Sequence, residues 1–458
     1  MKILIVGAGS LGIQLAKSLN MKQNQVTLMD LNPSALDQIT ADFNLITLQM
    51  NGVDVNNLKN AGVDQLDVTI AVTEDDETNL IIAFLAKRLG CRRSLARVRN
   101  PEYASQSPYL SGEMAIDLIV NPEKSTAQAI QHYLLKEKNL HMVEFAQGNI
   151  VLAEVHGNAF VMGEKQKLKE LSADGKVAPV AIAREGRVLI PDGETFIEKT
   201  DLLYLAGKKE FVQEFAMQHG INQQDHPVKQ VVVIGGGRIG YYLTKSLTDK
   251  GIRVTCIEID RSRCKYLAQK CDKALIINAD GTDLNLLKSE GAFNADALVP
   301  LTGHDEENLI LSLLARQFGS KSVVTNVSRS SYIPILEKLG IDAAFDPTLL
   351  TASHVLHFIL EGKLASISLL LGGTAEVVEI SVQPGAYITH KSLQQLKLPT
   401  GMIVAAILRA GEVIIPQGTT QVQPGDQVVV FLLSHLMGQL ETIFYPAPQT
   451  GIKNGLWQ

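Results

Sequence analysis

Residues 1–30 read MKILIVGAGSLGIQLAKSLNMKQNQVTLMD, and this pattern predicts a strand, a glycine turn, a helix and a second strand in succession. The apolar run at 2–6 leads into Gly7-Ala8-Gly9-Ser10-Leu11-Gly12, and leucines then recur at helical spacing. Asp30 ends the second strand, and its separation from Gly12 is close to the roughly 20 residues of the dinucleotide-binding fingerprint. We therefore expect a nucleotide at this turn, although similar glycine turns also occur in proteins that bind none.

Each part of this stretch has a physical role in such a fold. The first glycine makes the tight turn, the second lets the backbone approach a pyrophosphate, and the third lets the helix pack on the strand. Ser10 and the helix N-terminus can donate hydrogen bonds to phosphate. Asp30 can accept from ribose hydroxyls but would repel a 2′-phosphate. NAD or an adenine nucleotide is therefore favoured over NADP.

Composition restricts the class of protein. The chain has 458 residues, of which 46% are hydrophobic, so several cores can form. Its net charge of −6 gives no positive field toward nucleic acid, and we expect no nucleic-acid partner. Four cysteines show neither zinc nor disulfide spacing, which fits a reducing cytoplasm. The sequence shows no signal-peptide pattern and no apolar run long enough for a membrane span, so we expect any membrane role to be peripheral.

The order of patterns along the chain predicts an α/β protein made of four parts. Strands and helices alternate over residues 1–135, which is typical of a doubly wound, Rossmann-like parallel sheet. Shorter alternating segments over 143–228 indicate a small α+β module. The plan restarts at Gln230, with a second Rossmann-like domain over 230–348 and a second module over 368–453.

An internal repeat supports this division. Gly7, Gly9, Gly12 and Asp30 recur at one constant offset as Gly235, Gly237, Gly240 and Glu258. The register then slips by one position. Asn51-Gly52-Val53-Asp54 matches Asp280-Gly281-Thr282-Asp283, and Thr73 with Asn79 matches Thr302 with Asn308. Two similar nucleotide sites are therefore expected in one chain.

Ligands of doubly wound sheets lie outside the carboxyl ends of the strands, so residues after each strand are the candidates. The first site is predicted to comprise Gly7, Ala8, Gly9, Ser10, Leu11, Gly12, Asp30, Met50, Asn51, Thr73, Glu74 and Arg97. The second is predicted to comprise Gly235, Gly236, Gly237, Arg238, Ile239, Gly240, Glu258, Asp280 and Thr302.

Several of these assignments leave alternatives open. Thr73 either lines the pocket near a ribose or phosphate, or caps the following helix. Arg97 interrupts an apolar run at a strand end and can supply a positive charge to a ligand. In the second half, Gly303 and Asn326 stand where Glu74 and Arg97 stood. Arg238 can pair with a phosphate or obstruct the turn, so the two pockets are not chemically equivalent.

No catalytic group and no metal site is evident. The ten histidines are scattered, and His354 with His357 share a helix face without a third ligand. The sequence contains no G-x-x-x-x-G-K-[ST] run, which argues against P-loop ATP hydrolysis. We therefore expect a protein that is not an enzyme.

The four-part order and its motifs resemble a known family. The motifs are the turn at 7–12, Asp30, the segment Asp280-Gly281-Thr282-Asp283 and the run Ala96-Arg97-Val98-Arg99-Asn100-Pro101. They are similar to those of the TrkA-type peripheral subunits of bacterial Trk potassium uptake systems, which contain two tandem RCK (regulator of potassium conductance) domains. The resemblance covers essentially the whole chain.

The resemblance implies a nucleotide-sensing regulator of potassium transport. Members of the family bind NAD or NADH, and in some cases ATP or ADP, at the N-terminal part of each RCK domain. They assemble as ring-like homo-oligomers beneath a membrane channel of the TrkH or TrkG type, at the cytoplasmic face of the inner membrane. An alternative from another class is an NAD-dependent oxidoreductase with a duplicated cofactor domain, which would need a general acid or base beside the nicotinamide.

Overall fold

The computed structural model describes residues 1–20, 24–40, 45–135, 141–161, 166–168, 175–184, 187–192, 194–219, 228–360, 366–370 and 375–446. The chain divides into two compact units, each assembled from two separate segments. One unit comprises Met1–Lys138 and Gln223–Ile359, and the other comprises Asn139–Asn222 and Leu360–Gln458. The first unit therefore holds both parallel sheets, and the second holds both smaller modules.

The first domain is built on a six-stranded parallel sheet. Its elements are β1 (Lys2–Val6), α1 (Ser10–Asn20), β2 (Gln25–Asp30), α2 (Pro33–Thr40), β3 (Ile46–Gln49), α3 (Val55–Asn60), β4 (Val68–Ala71), α4 (Asp76–Arg88), β5 (Arg93–Arg97), α5 (Pro101–Ser105), α6 (Ser107–Met114), β6 (Leu118–Val120) and α7 (Pro122–Leu135). The strands lie in the order β3-β2-β1-β4-β5-β6. The strand order reverses between β1 and β4, which is where doubly wound sheets bind ligands.

The first module is antiparallel. Its elements are β7 (His141–Phe145), β8 (Ile150–His156), β9 (Gln166–Lys167), β10 (Val177–Arg184), β11 (Arg187–Leu189), β12 (Phe196–Ile197), β13 (Leu202–Gly207) and α8 (Lys209–Gln218). Five strands form one sheet in the order β11-β10-β13-β8-β7, and β12 pairs with β9. Val212, Phe215 and Ala216 of α8 pack into the core on this sheet.

The second domain repeats the first. Its elements are β14 (Gln230–Ile234), α9 (Arg238–Asp249), β15 (Arg253–Glu258), α10 (Arg261–Lys270), β16 (Leu275–Asn278), α11 (Leu284–Ser289), β17 (Ala297–Pro300), α12 (Asp305–Gln317), β18 (Val324–Asn326), α13 (Ile333–Lys338), β19 (Ala343–Phe345) and α14 (Pro347–Leu360). Four strands follow the order β16-β15-β14-β17, and β18 pairs in parallel with β19. A parallel bridge from Leu298 to Val323 joins the two parts. The predicted fold class, two Rossmann-like domains each followed by a small module, is confirmed.

The second module repeats the first in strand order. Its elements are β20 (Ser366–Leu370), β21 (Ala375–Ser381), α15 (Leu393–Leu396), β22 (Met402–Arg409), β23 (Glu412–Ile414), β24 (Gln427–Leu433) and α16 (Leu440–Phe444). The sheet order is β20-β21-β24-β22-β23. Both modules contribute to one core, in which the rings of Tyr204 and Phe431 lie 5.8 Å apart. The amide of Ala146 donates to Oε2 of Glu379 at 2.8 Å, which gives that buried carboxylate a partner.

One ion pair recurs at the same place in both modules. In the first, Nε and Nη2 of Arg184 donate to the two carboxylate oxygens of Asp201 at 2.7 Å each. In the second, Arg409 and Asp426 make the same two bonds at 2.8 and 2.7 Å. Both aspartates are buried, so these bidentate pairs supply the charge partner that a buried carboxylate requires.

The two parallel-sheet domains exchange their last helices. Ile130 and Leu134 of α7 lie in the core of the second domain. Val355 and Leu356 of α14 lie in the core of the first domain. Arg93 donates from Nη1 and Nη2 to two carbonyl oxygens at the end of α14, at 2.9 Å each. Neither parallel-sheet core is therefore complete without a helix from the other domain.

We expect Leu356→Ala to lower the free energy of unfolding by about 2–5 kcal/mol, because the side chain is fully buried. Hydrogen exchange measured by mass spectrometry should speed up in β1 and β2 of the first domain. Ile310→Ala on α12 is the matched control, since Ile310 is 57% exposed, and it should change stability by less than about 0.5 kcal/mol. Faster exchange confined to β14 and β15 would contradict the exchange of helices.

Candidate functional site

The glycine turn of the first domain leaves no room for a side chain at two of its three glycines. A Cβ at Gly12 would lie 1.8 Å from the carbonyl oxygen of Gly7. Gly7 has a φ of +112° and packs against the backbone of Val72 and Thr73. Nothing lies within 4 Å of a Cβ added at Gly9. This side of the turn is therefore open to a ligand, as the second glycine of the fingerprint requires.

The second domain repeats this geometry with one difference. A Cβ at Gly240 would lie 2.1 Å from the carbonyl oxygen that begins the turn, and Gly237 again faces open space. At Gly236, where the first domain has Ala8, an added Cβ would lie 2.3 Å from Cδ1 of Leu267. A side chain at 236 would therefore require the side chain of Leu267 to shift.

Asp30 lies directly against the first glycine turn. Its Oδ2 accepts from the amide of Ala8 at 2.6 Å, and its Oδ1 accepts from the amide of Asn32 at 2.8 Å. The amide of Met50 donates to the carbonyl oxygen of Asp30 at 3.2 Å, which brings the loop containing Asn51 to the same edge. Each carboxylate oxygen keeps acceptor capacity for one further donor, such as a ribose hydroxyl.

Glu258 occupies the matching place in the second domain. Its Oε2 accepts from the amide of Gly236 at 2.6 Å, and its Oε1 accepts from the amide of Asp260 at 2.8 Å. The amide of Ala279 donates to the carbonyl oxygen of Glu258 at 3.0 Å. Asp280 follows, and it accepts from the amide and hydroxyl of Thr282, which lowers the pKa of its carboxyl group. Asp280 is exposed and closes the turn after β16.

A buried asparagine joins the strand ends beside each turn. Oδ1 of Asn79 accepts from the amide and the hydroxyl of Thr73, at 2.7 and 2.8 Å. Its Nδ2 donates to the carbonyl oxygens of Thr73 and Arg97 at 3.0 Å each. The alternative that Thr73 caps α4 is wrong, because Asp75 is the cap and accepts from the amide of Thr78. The hydroxyl hydrogen of Thr73 is engaged, so a ligand can use this group only as an acceptor.

The second domain has the same link. Asn308 accepts from the amide and hydroxyl of Thr302 at 2.8 and 2.9 Å. Its Nδ2 lies 3.2 Å from the carbonyl oxygen of Thr302 and 3.3 Å from that of Asn326. Both asparagines are fully buried. Thr73 and Thr302 are therefore held at the edge of the crevice by equivalent contacts.

Arg97 lies partly buried at the end of β5. Its Nη2 donates to the carbonyl oxygen of Thr73 at 2.6 Å. Its Nε is buried and, among the residues that the structure describes, has no hydrogen-bond partner. Burial lowers the pKa of the guanidinium from its usual value, and the positive charge of Arg99 lowers it further. The side chain remains a cation at neutral pH and has donor capacity for a ligand.

Comparison with known proteins identifies the family. The TrkA-N domain matches residues 3–122 and 231–347, and the TrkA-C domain matches residues 377–445. "Trk system potassium uptake protein TrkA homolog 1" of Methanosarcina mazei is 30% identical, over 97% of this chain and 100% of its own length. "Trk system potassium uptake protein TrkA" of Vibrio alginolyticus is 29% identical, over 98% of this chain and 99% of its own.

The chain belongs to the TrkA family.

Solved structures agree on the fold of this TrkA-family chain. The crystal structure of the GsuK RCK domain has a TM-score of 0.59 at 18% identity, and it covers 96% of this chain and 94% of its own. The GsuK channel bound to NAD has a TM-score of 0.58 at 17% identity, and it covers 96% of this chain and 78% of its own. At these identities the likeness establishes the RCK fold alone.

The remaining predicted residues divide by exposure. The side chains of Ala8 and Leu11 are buried, so only their backbone can meet a ligand. Ser10 and Glu74 are exposed at the first site. Arg238 is exposed at the start of α9, and its side chain makes no hydrogen bond or ion pair within the described part of the chain. It therefore leaves the glycine turn free.

Three kinds of residue at these sites escaped prediction from the TrkA-like motifs. Leu31 and Ile259 follow the two acids and are 64% and 68% exposed, which is unusual for such large apolar side chains. Both residues come directly after the acid that ends the second strand, and this repeated position could have identified them from the sequence. The second kind is Asn79 and Asn308. The internal repeat showed that the two asparagines match, but it did not predict that both are buried.

Arg263 is the third, and no signal pointed to it because the first domain has Ala35 at that position. Its Nε donates to the carbonyl oxygen of Gly236 at 2.6 Å, and its Nη2 donates to that of Gly237 at 3.1 Å. The guanidinium lies 4.6 Å from the ring centre of Tyr266. The second glycine turn is thus held by a cation that the first lacks.

The described part of the chain lacks both a metal-binding cluster and a membrane-spanning helix. No three His, Cys, Asp or Glu side chains there form a group that could hold a metal ion. No helix in the described ranges is both long enough and apolar enough to cross a membrane.

We expect Asn79→Ala to lower the free energy of unfolding by about 2–4 kcal/mol, because the amide of Thr73 and the carbonyl oxygen of Arg97 both lose the partner that Asn79 gives them. Hydrogen exchange at Thr73 should increase most. Asn56→Ala, on the exposed side of α3, is the control and should have little effect. Equal stability of the two variants would show that Asn79 does not join the strand ends.

Proposed function

We propose that this chain binds NAD(H) at its first glycine turn and ADP or ATP at its second, and that the bound nucleotides regulate potassium uptake. The observation that carries the proposal is the repeated contact of an acid with a glycine turn, Asp30 with Ala8 and Glu258 with Gly236, at 2.6 Å in both domains. An acid at the end of the second strand, beside an open glycine turn, is typical of sites that bind the ribose of a nucleotide.

Family membership supports the regulatory part of the proposal. A TrkA-family chain is a nucleotide-binding regulatory subunit of potassium transport. The GsuK structures include one titled as bound to NAD and one titled as bound to ADP, the latter with a TM-score of 0.51 at 13% identity. We extend both ligand classes to this chain on the basis of its own residues.

The first site has the features that a dinucleotide needs on both sides of the turn. Asp30 can accept from the adenosine ribose, and the exposed side chain of Leu31 offers an apolar surface to adenine. On the other side of the turn, Glu74 follows β4 and Arg97 ends β5, where the second nucleoside of a dinucleotide would lie. These polar groups favour NAD(H) there.

The second site favours a ligand that ends in phosphates. Gly303 and Asn326 replace Glu74 and Arg97, so the side that would hold a second nucleoside has no charged group at these two positions. Arg238 and Arg263 add two positive charges beside the glycine turn. ADP and ATP carry more negative charge on their phosphates than NAD does, and they match this arrangement.

The exchanged helices provide the means of regulation. Because α7 packs on the second domain and α14 on the first, a change in either domain alters a helix that the other needs. A nucleotide shifts this equilibrium only by its difference in affinity for the two arrangements. We propose that copies of the chain form a ring at the cytoplasmic face of the membrane and pass this shift to a channel subunit of the TrkH or TrkG type.

Calorimetric titration of the full chain tests the proposal. NADH and ADP should each bind with one equivalent per chain, and NADP should bind more weakly than NAD because Asp30 repels a 2′-phosphate. Asp30→Ala should weaken NADH binding, and Glu258→Ala should weaken ADP binding, by roughly 10–150-fold, since each loses a charged acceptor worth about 1.5–3 kcal/mol.

Two further measurements separate regulation from catalysis. Hydride transfer from NADH should be absent with mixed oxo acids, and turnover would establish the oxidoreductase alternative instead. Potassium uptake by cells that carry Asp30→Ala should lose its response to nucleotides. Uptake and regulation that both match those of the unchanged protein would count against the proposed role.

We expect Arg238→Ser to weaken ADP binding at the second site by roughly 5–10-fold, because an exposed charge contributes about 1 kcal/mol or slightly more. The effect should shrink at high salt. Ser10→Arg is the reciprocal variant at the matching position, and it should bring ADP binding to the first site. Unchanged ADP affinity in Arg238→Ser at low salt would show that this arginine does not contact phosphate.

A further inference from the structure

The phosphate-binding turn of the second site is connected to α7 by an unbroken series of contacts. It begins with Arg263, which donates to the carbonyl oxygens of Gly236 and Gly237. The guanidinium lies 4.6 Å from the ring centre of Tyr266 and 6.0 Å from that of Tyr241. Any displacement of Arg263 therefore disturbs two packed aromatic rings.

The series continues across the boundary between the domains. The ring of Tyr241 lies 5.7 Å from that of Tyr266 and 5.1 Å from that of Tyr242. The hydroxyl oxygen of Tyr242 accepts from Nδ2 of Asn121 at 3.3 Å. Burial raises the pKa of Tyr242 to about 12, so this group is a neutral hydroxyl under ordinary conditions. Asn121 belongs to the first domain and immediately precedes α7.

Asn121 in turn touches the strand end beside the first site. Its Oδ1 accepts from the amide of Lys124 at 2.7 Å, which caps α7, and its Nδ2 lies 3.4 Å from the carbonyl oxygen of Arg99. Nε of Arg99 donates to Glu123 at 2.6 Å, and Arg99 follows Arg97 closely in the chain. The contacts therefore run from one nucleotide turn to the binding edge of the other.

The first domain lacks the residues that would make an equivalent series of contacts from its own glycine turn. At the offset that relates the two glycine turns, the counterparts of Tyr241, Tyr242, Arg263 and Tyr266 are Ile13, Gln14, Ala35 and Gln38. None of these is a cation or an aromatic residue. The pathway therefore starts only from the second site.

The tyrosines have room to move. A pocket of about 290 Å³ lies between α5, α7 and α9, and Ala104, Lys124, Gln128, Tyr241 and Tyr242 line it. A close-packed interior allows no such rearrangement, whereas an open pocket beside a ring admits a second rotamer. Two discrete positions of one element are what energetic coupling between sites requires.

We propose that Arg263 and Tyr242 couple the two nucleotide sites, so that a phosphate-bearing ligand at the second site changes the affinity of the first. An anion on the glycine turn competes for Arg263, because a charged acceptor binds a guanidinium more strongly than two carbonyl oxygens do. The guanidinium leaves its place on Tyr266, the tyrosines repack, and the bond from Asn121 to Tyr242 changes. This inference rests on the proposed nucleotide sites.

Fluorescence titration of NADH into the full chain, with and without saturating ADP, measures the coupling. We expect ADP to change the NADH affinity by about 5–150-fold, the usual range of coupling between sites. Tyr242→Phe should bring this factor below about 3, while each nucleotide alone binds within about twofold of its normal affinity. Tyr103→Phe is the control, because its hydroxyl bonds to Glu77 outside the pathway and its loss should leave the coupling unchanged.

Each outcome decides between the proposals. If neither nucleotide binds, the proposed function fails. If both bind and ADP leaves the NADH affinity unchanged, or if the factor is the same in Tyr242→Phe, the coupling proposal is overturned while the function stands. If Glu258→Ala does not raise the ADP concentration at which the effect on NADH appears, ADP acts by competition at the first site, and the coupling is overturned as well.

Discussion

The exchange of α7 and α14 between the two parallel-sheet domains is the constraint on which the rest of the first unit depends. A parallel sheet needs helices on both faces, because its strands are apolar on both sides. Here one of the covering helices of each domain comes from the other, through Ile130 and Leu134 in one direction and Val355 and Leu356 in the other. Movement of either domain is therefore limited to motions that keep both helices packed, and such motions are shared by the two nucleotide sites.

The two domains share one framework at the proposed sites and differ in the side chains around it. Asn79 and Asn308 make nearly identical bonds to the strand ends, and a glycine turn with a bonded acid stands in both domains. The side chains around that framework differ in charge, as Arg263 beside the second turn shows. One framework with different side chains can give two sites of similar geometry and different ligand preference, and the regulator that we propose needs this difference.

The sequence was sufficient for features that local patterns determine. The turn at 7–12, the acid at Asp30 and the second copy of both all follow from spacing, and the parallel sheets follow from the alternation of strands and helices. The exchange of helices could not be predicted from the sequence. The apolar face of α7 is evident as a pattern, but the pattern does not say which of the two sheets it covers. Arg263 was missed for a related reason, since its partners are backbone carbonyl oxygens, which carry no sequence signal. Long-range contacts of this kind depend on tertiary packing and not on spacing.

Joining both domains in one chain explains why the sites can differ at all. In a dimer of identical chains every substitution appears twice, so Arg263 in one copy could not be combined with Ala35 at the matching position of the other. In a single chain each half varies independently, while the covalent link keeps the partners at a high effective concentration. The smaller modules are joined as well, since they share one core and one type of ion pair, and Glu379 of the second accepts a bond from the first. Asymmetry between covalently joined copies is therefore the property on which the proposed response of one chain to two ligands depends.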